Sequence, residues 1–357
     1  MMSLRFALVG CGRIAKKHAE ILAGGHVSGA ELAAVCDIRE DRARVFGQTY
    51  GVPHFSNLQQ MMEAKTGIDV VCVLTPSGLH AANTLELAPY GKHIVVEKPM
   101  ALTIDDADLM IEACDRAGIR LFVVKQNRYN RAVVRTREAL EAGRFGRIVM
   151  GTVRVRWCRT QEYYDQDAWR GTWELDGGVF ANQASHHVDL LQWMLGEWQS
   201  VWAKAGTPLV DIEAEDTGVA VIKFRNGALG IVEATNATRP KDLEGSMSLL
   251  GERGSVVVGG FAVNEVQTWR FSHSEAGDED VVGGVGEHPP DVYGFGHIPY
   301  LDHVVGCIRG DRPALVDGLE GRRSIELISA IYESIETGRE VSLRFRPKEC
   351  RLGIPNA

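Results

Sequence analysis

The chain has 357 residues, of which 45% are hydrophobic and 24% are charged, and its formal net charge is −8 at pH 7. This length favours two domains over one, and this composition excludes a largely disordered chain. The acidic balance argues against general binding to nucleic acid, which requires a basic face to neutralise phosphates.

The seven cysteines are scattered along the chain and are never spaced Cys-x-x-Cys. An odd number in this arrangement predicts reduced structural thiols, with no disulfide framework and no metal site. The N-terminus lacks the apolar core and the small-residue cleavage site of a signal peptide, and no segment reaches the roughly 18 to 20 apolar residues that span a bilayer. We therefore expect a cytoplasmic protein that does not bind membranes.

The first third of the chain alternates short apolar strands with helical patterns. This alternation predicts a doubly wound parallel sheet, the α/β Rossmann fold, over residues 1–123. The predicted elements are, in chain order, strand 6–9, helix 14–23, strand 31–36, helix 41–47, strand 70–74, helix 81–90, strand 93–96, helix 104–117 and strand 121–124.

A glycine-rich turn, Gly10-Cys11-Gly12-Arg13-Ile14-Ala15, lies between the first strand and the first helix. Its first glycine permits a tight turn, its second lets the backbone approach a pyrophosphate, and the helix N-terminus favours negative charge. Asp37 ends the second strand, where it is placed to accept hydrogen bonds from an adenosine ribose and to repel a 2′-phosphate. The pattern therefore predicts a dinucleotide site that favours NAD, although Arg39 leaves NADP open. The expected contacts are Gly10, Gly12, Arg13, Ile14 and Asp37.

Two later strands of this region end in polar clusters. Thr75-Pro76-Ser77-Gly78-Leu79-His80 follows strand 70–74, and Glu97-Lys98-Pro99 follows strand 93–96. Ligands of open parallel sheets bind beyond the carboxyl ends of the strands, so both clusters should face the cofactor. An ordinary loop with a helix N-cap explains the first cluster equally well, and a solvated charge pair is the alternative for the second. The predicted cofactor contacts here are Thr75, Pro76, His80, Glu97 and Lys98.

From about Gly146 the pattern changes to antiparallel strands separated by turn signals. It predicts a second, α+β domain over residues 124–357, built on a large, open, mainly antiparallel sheet arranged as a meander, with C-terminal helices able to pack back on the first domain. The segment 272–296 is acidic and glycine-rich and is predicted to be a loop. The expected strands are 148–157, 201–205, 216–224, 228–235, 246–250 and 254–258, and the expected helices are 186–195, about 300–309 and about 320–337.

Three further motifs lie in the second region, namely Gln126-Asn127-Arg128-Tyr129-Asn130, Trp169-Arg170-Gly171 and Asn182-Gln183-Ala184-Ser185-His186-His187-Val188-Asp189. Taken together and in this order, all these motifs resemble the glucose-fructose oxidoreductase / inositol dehydrogenase (Gfo/Idh/MocA) family over essentially the whole chain. Family members typically show Asp-x-Gly-x-His-x-x-Asp near the middle of the chain, where this sequence has Asn182 and Ala184 in place of the first Asp and the Gly. With the run 126–130, this departure resembles the UDP-N-acetylglucosaminuronate 3-dehydrogenase branch, which serves the biosynthesis of bacterial surface polysaccharides such as lipopolysaccharide. The matching elements are Gly10-Cys11-Gly12 with Asp37, Thr75-Pro76 with His80, Glu97-Lys98-Pro99, Trp169-Arg170-Gly171, Asn182-Gln183-Ala184-Ser185-His186-His187-Val188-Asp189 and Gln126-Asn127-Arg128-Tyr129-Asn130.

The resemblance implies NAD-dependent oxidation of a sugar hydroxyl by a catalytic pair, Lys98 and His186. Such a reaction needs a group that accepts the hydroxyl proton and a group that stabilises the developing alkoxide. A neutral His186 suits the first task and a cationic Lys98 the second, but which residue is the formal base stays open. The resemblance adds Gln126, Trp169 and Arg170 to the cofactor contacts, and it implies that Lys98, Arg128, Tyr164, Asn182, Gln183 and His186 bind the substrate.

Neighbouring residues have more than one interpretation. Asn182 cannot titrate, so we expect it to orient the substrate, and His187 is expected to be structural. Asp189, one turn after His186, could orient the imidazole or be a solvated charge. Arg154 and Arg156 share one face of a strand, which could be solvated or lie between subunits.

An open sheet leaves a broad face exposed, and the resemblance implies that such faces pair to give dimers or tetramers, of which we expect a homotetramer. The resemblance also implies 2-oxoglutarate as an oxidant that recycles bound NADH. Two alternative functions remain at this point. One is a dehydrogenase of another sugar or of an inositol in the same family, and the other is a nonenzymatic NAD-binding sensor.

Overall fold

Six parallel strands form the first of two sheets in the computed structural model, which describes residues 3–286, 294–343 and 350–354. The strands are β1 (Leu4–Val9), β2 (Ala30–Cys36), β3 (His54–Phe55), β4 (Val70–Val73), β5 (His93–Val96) and β6 (Leu121–Val123). They pair in the order β3-β2-β1-β4-β5-β6, which is the strand order of a doubly wound dinucleotide-binding sheet. Every residue of β4 and nearly every residue of β5 is buried, because helices cover both faces of such a sheet.

The first sheet belongs to a unit that comprises residues 1–124 and 297–322. We call it the first unit. Its helices are α1 (Arg13–Ala23), α2 (Glu40–Tyr50), α3 (Leu58–Glu63), α4 (His80–Leu87), α5 (Ile104–Arg116) and, from the distant part of the chain, α10 (His297–Arg309). On α1, residues 15, 18, 19 and 22 are buried, which is the spacing of one helix face.

The second unit comprises residues 125–296 and 323–357. Its strands are β7 (Ile148–Arg156), β8 (Trp198–Gly206), β9 (Thr217–Phe224), β10 (Leu229–Thr235), β11 (Glu244–Gly251), β12 (Gly254–Gly259), β13 (Glu265–Phe271) and β14 (Val341–Ser342). Its helices are α6 (Arg131–Glu141), α7 (Gln161–Tyr164), α8 (Ser185–Leu195) and α9 (Val281–Gly284), and α11 (Gly318–Thr337) begins in the first unit and continues in the second.

The eight strands of the second sheet are ordered β13-β12-β11-β7-β10-β9-β8-β14. All neighbours are antiparallel except β7 and β10, which pair in parallel, Ile231 opposite Thr152. The fold class predicted from the sequence is confirmed, but the prediction of a simple meander is wrong. β7 precedes β10 and β11 in the chain but lies between them in the sheet, where it pairs with both. In a simple meander, by contrast, strands that are consecutive in the chain are neighbours in the sheet.

In the part of the chain that the structure describes, helix α8 covers one face of the second sheet and the other face is exposed along β9. Along β9 buried and exposed residues alternate without a break, which is the pattern of a strand with one solvated face. Helix α8 packs against the covered face, where it contacts two glycine positions of the sheet. A Cβ atom at Gly151 would lie 2.7 Å from Leu195, and one at Gly230 would lie 3.3 Å from Leu191. These glycines let α8 lie close to β7 and β10, and this close packing fixes the residues at the start of the helix.

Several elements were not predicted from the sequence, namely β3, α3, α6, α7, β13 and β14. The segment 272–296, predicted to be a loop, contains the short helix α9 and a 3₁₀ turn at Asp278–Asp280, and its residues 287–293 lie outside the described part. All seven cysteines are free. Among the described residues, no helix has the length and apolar character needed to cross a membrane.

Candidate active site

The glycine turn between β1 and α1 leaves open space beside its second glycine. Gly10 has a φ of +93°, and a Cβ atom there would lie 2.8 Å from the carbonyl oxygen of Leu74, so the turn requires glycine at this position. At Gly12 a Cβ atom would meet no atom of the described residues within 4 Å. Gly12 is also the N-cap of α1, and no side chain in the described ranges caps the helix there. The first N–H groups of α1 can therefore bind an anion beside Gly12.

Asp37 lies beside this turn and fixes its backbone. Its carboxylate accepts hydrogen bonds of 2.8 Å from the backbone N–H groups of Cys11 and Arg39. A carboxylate has about four acceptor positions, so two backbone bonds leave capacity for ribose hydroxyls. The turn, the uncapped helix and this carboxylate fit a bound NAD, as the sequence predicts. Arg13 is exposed and Ile14 partly exposed at the start of α1.

His80 connects the two polar clusters that follow β4 and β5. Its Nε2 atom lies 2.9 Å from the carbonyl oxygen of Thr75, and its Nδ1 atom lies 2.8 Å from that of Pro99. Burial lowers the pKa of the imidazole, although both carbonyl oxygens oppose the shift. Both ring nitrogens therefore contact backbone. This geometry favours a positioning role over the direct cofactor contact expected for His80, while Pro76 and Lys98 are partly exposed.

The carboxylate of Glu97 is buried and lies 3.1 Å from Nε2 of His18. It also accepts a hydrogen bond of 2.9 Å from the backbone N–H of Lys98. The alternative interpretation, in which Glu97 and Lys98 form a solvated charge pair, is therefore excluded, because the carboxylate of Glu97 is buried. Sequence reasoning missed His18, although its spacing with Ala15, Ala19 and Leu22 places it on the buried face of α1.

In the second unit, His186 is the second residue of the buried helix α8 and contacts Gln126. The Nε2 atoms of the two side chains are 2.9 Å apart. With the amide nitrogen of Gln126 as donor, Nε2 of His186 is an acceptor and a neutral ring carries its proton on Nδ1. Gln126 opens a 3₁₀ turn, Gln126–Tyr129. The structure therefore brings together two residues that the sequence places 60 positions apart.

Arg128 of the same turn contacts Asp189, one helical turn after His186. The guanidinium donates two hydrogen bonds of 2.8 Å to the carboxylate, and Lys125 Nζ lies 3.5 Å from Oδ1. Asp189 is only 2% exposed. Burial by itself would raise the pKa of Asp189, but Arg128 and Lys125 reverse this effect and lower it.

These contacts change the interpretation of two residues. The interpretation of Asp189 as a solvated charge is wrong, because a carboxylate between the apolar residues Val188 and Leu190 is buried together with the cations that neutralise it. The guanidinium of Arg128 also lies 4.8 Å from the ring centre of Trp193. This enclosed position favours a structural ion pair over the substrate contact expected for Arg128.

The segment before α8 holds Asn182 through a second buried carboxylate, Asp176. The Asn182 amide donates to Oδ1 of Asp176, and the backbone N–H of Gly171 donates to Oδ2 at 2.8 Å. Asn182 is partly exposed and Gln183 is buried. Sequence reasoning missed Asp176. Its signal is weak, because an Asp before two glycines is also typical of an ordinary turn.

The aromatic segment 163–170 forms a stacked cluster. Arg170 lies 4.6 Å from the ring centres of both Trp169 and Tyr163, and it donates a 2.7 Å hydrogen bond to the Tyr163 hydroxyl. Tyr164 is buried, and its hydroxyl accepts a 2.9 Å hydrogen bond from Asn236. Burial raises the pKa of this hydroxyl. Trp169 and Arg170 thus remain candidates for cofactor contact, whereas the position of Tyr164 favours a structural role over substrate binding.

Arg154 and Arg156 lie on the outer face of the second sheet. Arg156 contacts Glu233 at 2.6 Å and Glu244 at 2.9 Å, and Arg154 lies within 3.7 Å of the same two carboxylates. The four side chains form a charge ladder across β10, β7 and β11. The structure therefore separates them from the residues around His186, which lie on α8.

Comparison with known families matches almost the whole chain. Residues 4–125 match the model of an oxidoreductase family with an NAD-binding Rossmann fold, and residues 137–343 match the C-terminal α/β domain of the same Gfo/Idh/MocA family. Among curated relatives, the myo-inositol 2-dehydrogenase of Thermotoga maritima is 28% identical over 95% of this chain and 98% of its own length.

Two solved structures are more similar. The WlbA dehydrogenase of Bordetella pertussis is 45% identical, with a TM-score of 0.89 over 97% of this chain and 99% of that one. The WlbA dehydrogenase of Chromobacterium violaceum is 46% identical, with a TM-score of 0.90 over 97% of each chain. Both were solved in complex with NADH and UDP-GlcNAcA.

Proposed function

Because this chain belongs to the Gfo/Idh/MocA family of NAD-binding oxidoreductases, we propose that it oxidises the C3 hydroxyl of UDP-N-acetylglucosaminuronic acid (UDP-GlcNAcA) to a ketone, with NAD as the oxidant. The observation that carries this proposal is the identity of 45–46% over 97% of the chain to two dehydrogenases solved with NADH and UDP-GlcNAcA. The inositol dehydrogenases of Thermotoga maritima and Bacillus subtilis are 28% and 25% identical. The product is a precursor of diacetamido-uronic acids for bacterial surface polysaccharides.

The first unit supplies the cofactor site. The uncapped N-terminus of α1 beside Gly12 binds the pyrophosphate, and Asp37 accepts hydrogen bonds from the adenosine ribose. The turns after β4 and β5 contribute Thr75, Pro76 and Lys98. When bound, NAD supplies a hydride acceptor for the carbon that is oxidised.

Lys98 and His186 act on the hydroxyl that is oxidised. An ammonium group at Lys98 donates a hydrogen bond to the hydroxyl oxygen and stabilises the negative charge that develops on it. Nε2 of His186 has a lone pair, which Gln126 holds in a defined direction, so this atom can accept the hydroxyl proton. When the substrate hydroxyl takes the place of the Gln126 amide at this lone pair, one hydrogen bond is exchanged for another.

Asn182 orients the substrate without changing its charge. Its amide nitrogen donates to the carboxylate of Asp176, so the amide oxygen points away from that carboxylate. An aspartate at position 182, as in other branches of the family, would set two carboxylates against each other and raise the pKa of one of them. Asparagine avoids this repulsion and offers an acceptor to a hydroxyl or amide of the sugar.

The outer face of the second sheet is the surface for self-association. It exposes apolar side chains on four neighbouring strands, and a face of this kind is typical of subunit interfaces. We expect a homotetramer, measurable by sedimentation equilibrium, and recycling of bound NADH by 2-oxoglutarate. The exposed apolar residues are Val149, Trp202, Val219, Val221 and Leu229.

A substrate panel tests the proposed function. The purified protein is incubated with NAD and, separately, UDP-GlcNAcA, UDP-N-acetylglucosamine and myo-inositol, with 2-oxoglutarate added in parallel reactions. We expect a keto product, detected by mass spectrometry, with UDP-GlcNAcA alone. Turnover of myo-inositol without turnover of UDP-GlcNAcA would instead support the other branch of the family.

A further inference from the structure

The carboxylate of Glu97 lies between two buried histidines of the first unit. His18, on α1, places Nε2 at 3.1 Å from Oε1, and His297, the first residue of α10, places Nε2 at 3.7 Å from the same oxygen. The two imidazole rings contact each other edge to face, with centres 5.5 Å apart. None of the three side chains is more than 7% exposed. The carboxylate thus connects the helix of the glycine turn, the end of β5 and α10.

The other oxygen of Glu97 contacts the backbone that carries Lys98. The N–H of Lys98 donates to Oε2 at 2.9 Å, and on the following residue the carbonyl oxygen of Pro99 lies 2.8 Å from Nδ1 of His80. Buried side chains therefore hold the Lys98 segment at the N–H of Lys98 and at the carbonyl of Pro99. The direction in which the Lys98 side chain leaves the backbone depends on both contacts.

The histidines keep Glu97 ionised. Burial alone would raise its pKa, but the contacts with His18 and His297 reverse the effect and hold the pKa well below the ordinary value of a glutamate. Burial lowers the pKa of His297, which favours its neutral form. Nδ1 of His18 has no partner among the described residues, so a neutral His18 ring carries its proton on Nε2 and donates it to Glu97.

A divalent metal is the alternative occupant, because the two histidine nitrogens and the carboxylate oxygen all lie within 4.8 Å of one another. Two observations favour hydrogen bonding instead. The separation of His18 and Glu97 is that of a hydrogen bond. A metal-bound histidine also normally donates its second N–H to a carboxylate or carbonyl, and Nδ1 of His18 contacts neither among the described residues.

We propose that His18 and His297 are positioning residues of the dehydrogenase reaction, which they serve by holding an ionised Glu97 that orients Lys98 through its backbone N–H. This inference rests on the proposed function of Lys98. Both histidines are buried, with side-chain exposures of 0% and 1%, so they act indirectly. Their effect reaches the reaction through one carboxylate and one peptide group.

The test compares His18→Leu, which removes the donor, with His18→Gln, whose amide can still donate to Glu97. Lys16→Ala, at an exposed position of the same helix, is the control. We expect His18→Leu to lower kcat by about tenfold to a hundredfold, as the loss of a supporting contact does at other sites. The KM for UDP-GlcNAcA should change by less than about twofold, and His18→Gln should recover most of kcat.

The pH profile separates positioning from packing. Without a donor at position 18 the pKa of Glu97 rises, so the acid limb of kcat should move to higher pH in His18→Leu but not in Glu97→Gln. The other titratable groups that face the cluster are Cys72 on β4, His80 on α4 and Lys17 on α1, and all three are unchanged in these variants. Equal losses of kcat in the Leu and Gln variants, with an unmoved acid limb, would overturn the proposal.

Two further readouts need no substrate. A double-mutant cycle of His18→Leu and Glu97→Gln on the melting temperature should show coupling at pH 7, and additive effects would contradict the contact. Elemental analysis of the purified wild type should find no stoichiometric metal. A metal that is present in the wild type and absent from His18→Leu would show a metal site instead of a positioning role. If His18→Leu does not fold, His297→Leu and His297→Gln provide the same comparison. An inactive wild type would refute the proposed function, whereas the cycle would still decide the contact.

Discussion

The guanidinium of Arg128 donates two parallel hydrogen bonds of 2.8 Å to the carboxylate of Asp189. Arg128 lies in the 3₁₀ turn that carries Gln126, and Asp189 lies on the helix that carries His186. The ion pair therefore holds the turn against the helix, next to the contact between Gln126 and His186. It links the packing of the second unit to the orientation of the imidazole that we propose for catalysis.

Replacing Asp189 by Asn should destabilise the second unit strongly, because the buried charges of Arg128 and Lys125 lose their counter-ion. We expect a cost of about 3 kcal/mol or more, measured as a fall in melting temperature by calorimetry. Glu138→Gln removes an exposed ion pair with Arg135 and should cost less than about 1 kcal/mol. Similar losses in the two variants would show that the buried pair has no special role.

Alanine substitutions at the two glycines of the first turn should affect different properties, NAD affinity at Gly12 and stability at Gly10. Gly12→Ala places a methyl group in open space, so the melting temperature should be retained while the Kd for NAD rises at least about tenfold, since the methyl group occupies the position of the pyrophosphate. Gly10→Ala forces a Cβ atom against Leu74 and an unfavourable φ, at a cost of about 1–3 kcal/mol. Unchanged NAD affinity in Gly12→Ala, by calorimetric titration, would place the cofactor elsewhere.

Lys98→Met and His186→Asn should abolish most turnover while NAD binding stays measurable. Loss of a general acid–base group typically lowers kcat by about a hundredfold to ten-thousandfold. Lys65→Met, at an exposed position of the same unit, is the matched control. If the acid limb of kcat/KM disappears in His186→Asn, then His186 is the base. An unchanged rate in either variant would contradict the proposed chemistry.

Glu215 should make stability fall as the pH rises. Burial raises its pKa to about 7, and its Oε1 accepts hydrogen bonds from the hydroxyl of Tyr332 and the N–H of Phe180. The folded state therefore retains a proton that the unfolded state loses near its ordinary value of 4.5. The stabilisation is complete below about pH 4.5 and is lost as the pH rises to about 7.

Glu215→Gln should remove this dependence. The variant should gain melting temperature relative to the wild type at pH 8 but not at pH 5, since an uncharged amide has no ionisation to disfavour burial. The groups that share its surroundings are Asp176, Tyr332 and Cys350, and Glu174→Gln, at an exposed position, is the control. A constant difference in melting temperature across this pH range would contradict the assignment.

The sequence predicts the first sheet well because its signals are local. Each buried parallel strand is a short apolar run, and the glycine turn lies between a strand and a helix, where its backbone conformation is needed. The short strand His54–Phe55 escapes prediction because two residues carry no periodicity. The insertion of β7 between β10 and β11 escapes it because strand order depends on contacts between residues about 80 to 100 positions apart.

The sequence predicts which residues belong to the site but not which residues they contact. Lys98, His186 and Asn182 stand out in their motifs, whereas the ion pair of Asp189 and the contact of Glu97 with His18 depend on tertiary packing. A carboxylate among apolar helix residues does predict a buried partner, as Asp189 illustrates. The identity of that partner, Arg128, requires the structure.

The most direct test of the central claim uses UDP-GlcNAcA labelled with deuterium at C3. The purified protein is incubated with NAD and the labelled sugar, and the reduced cofactor and the sugar product are analysed by mass spectrometry. The account predicts that the deuterium appears in NADH and is absent from a keto sugar. Unlabelled NADH, or a product that retains the deuterium, would contradict oxidation at C3.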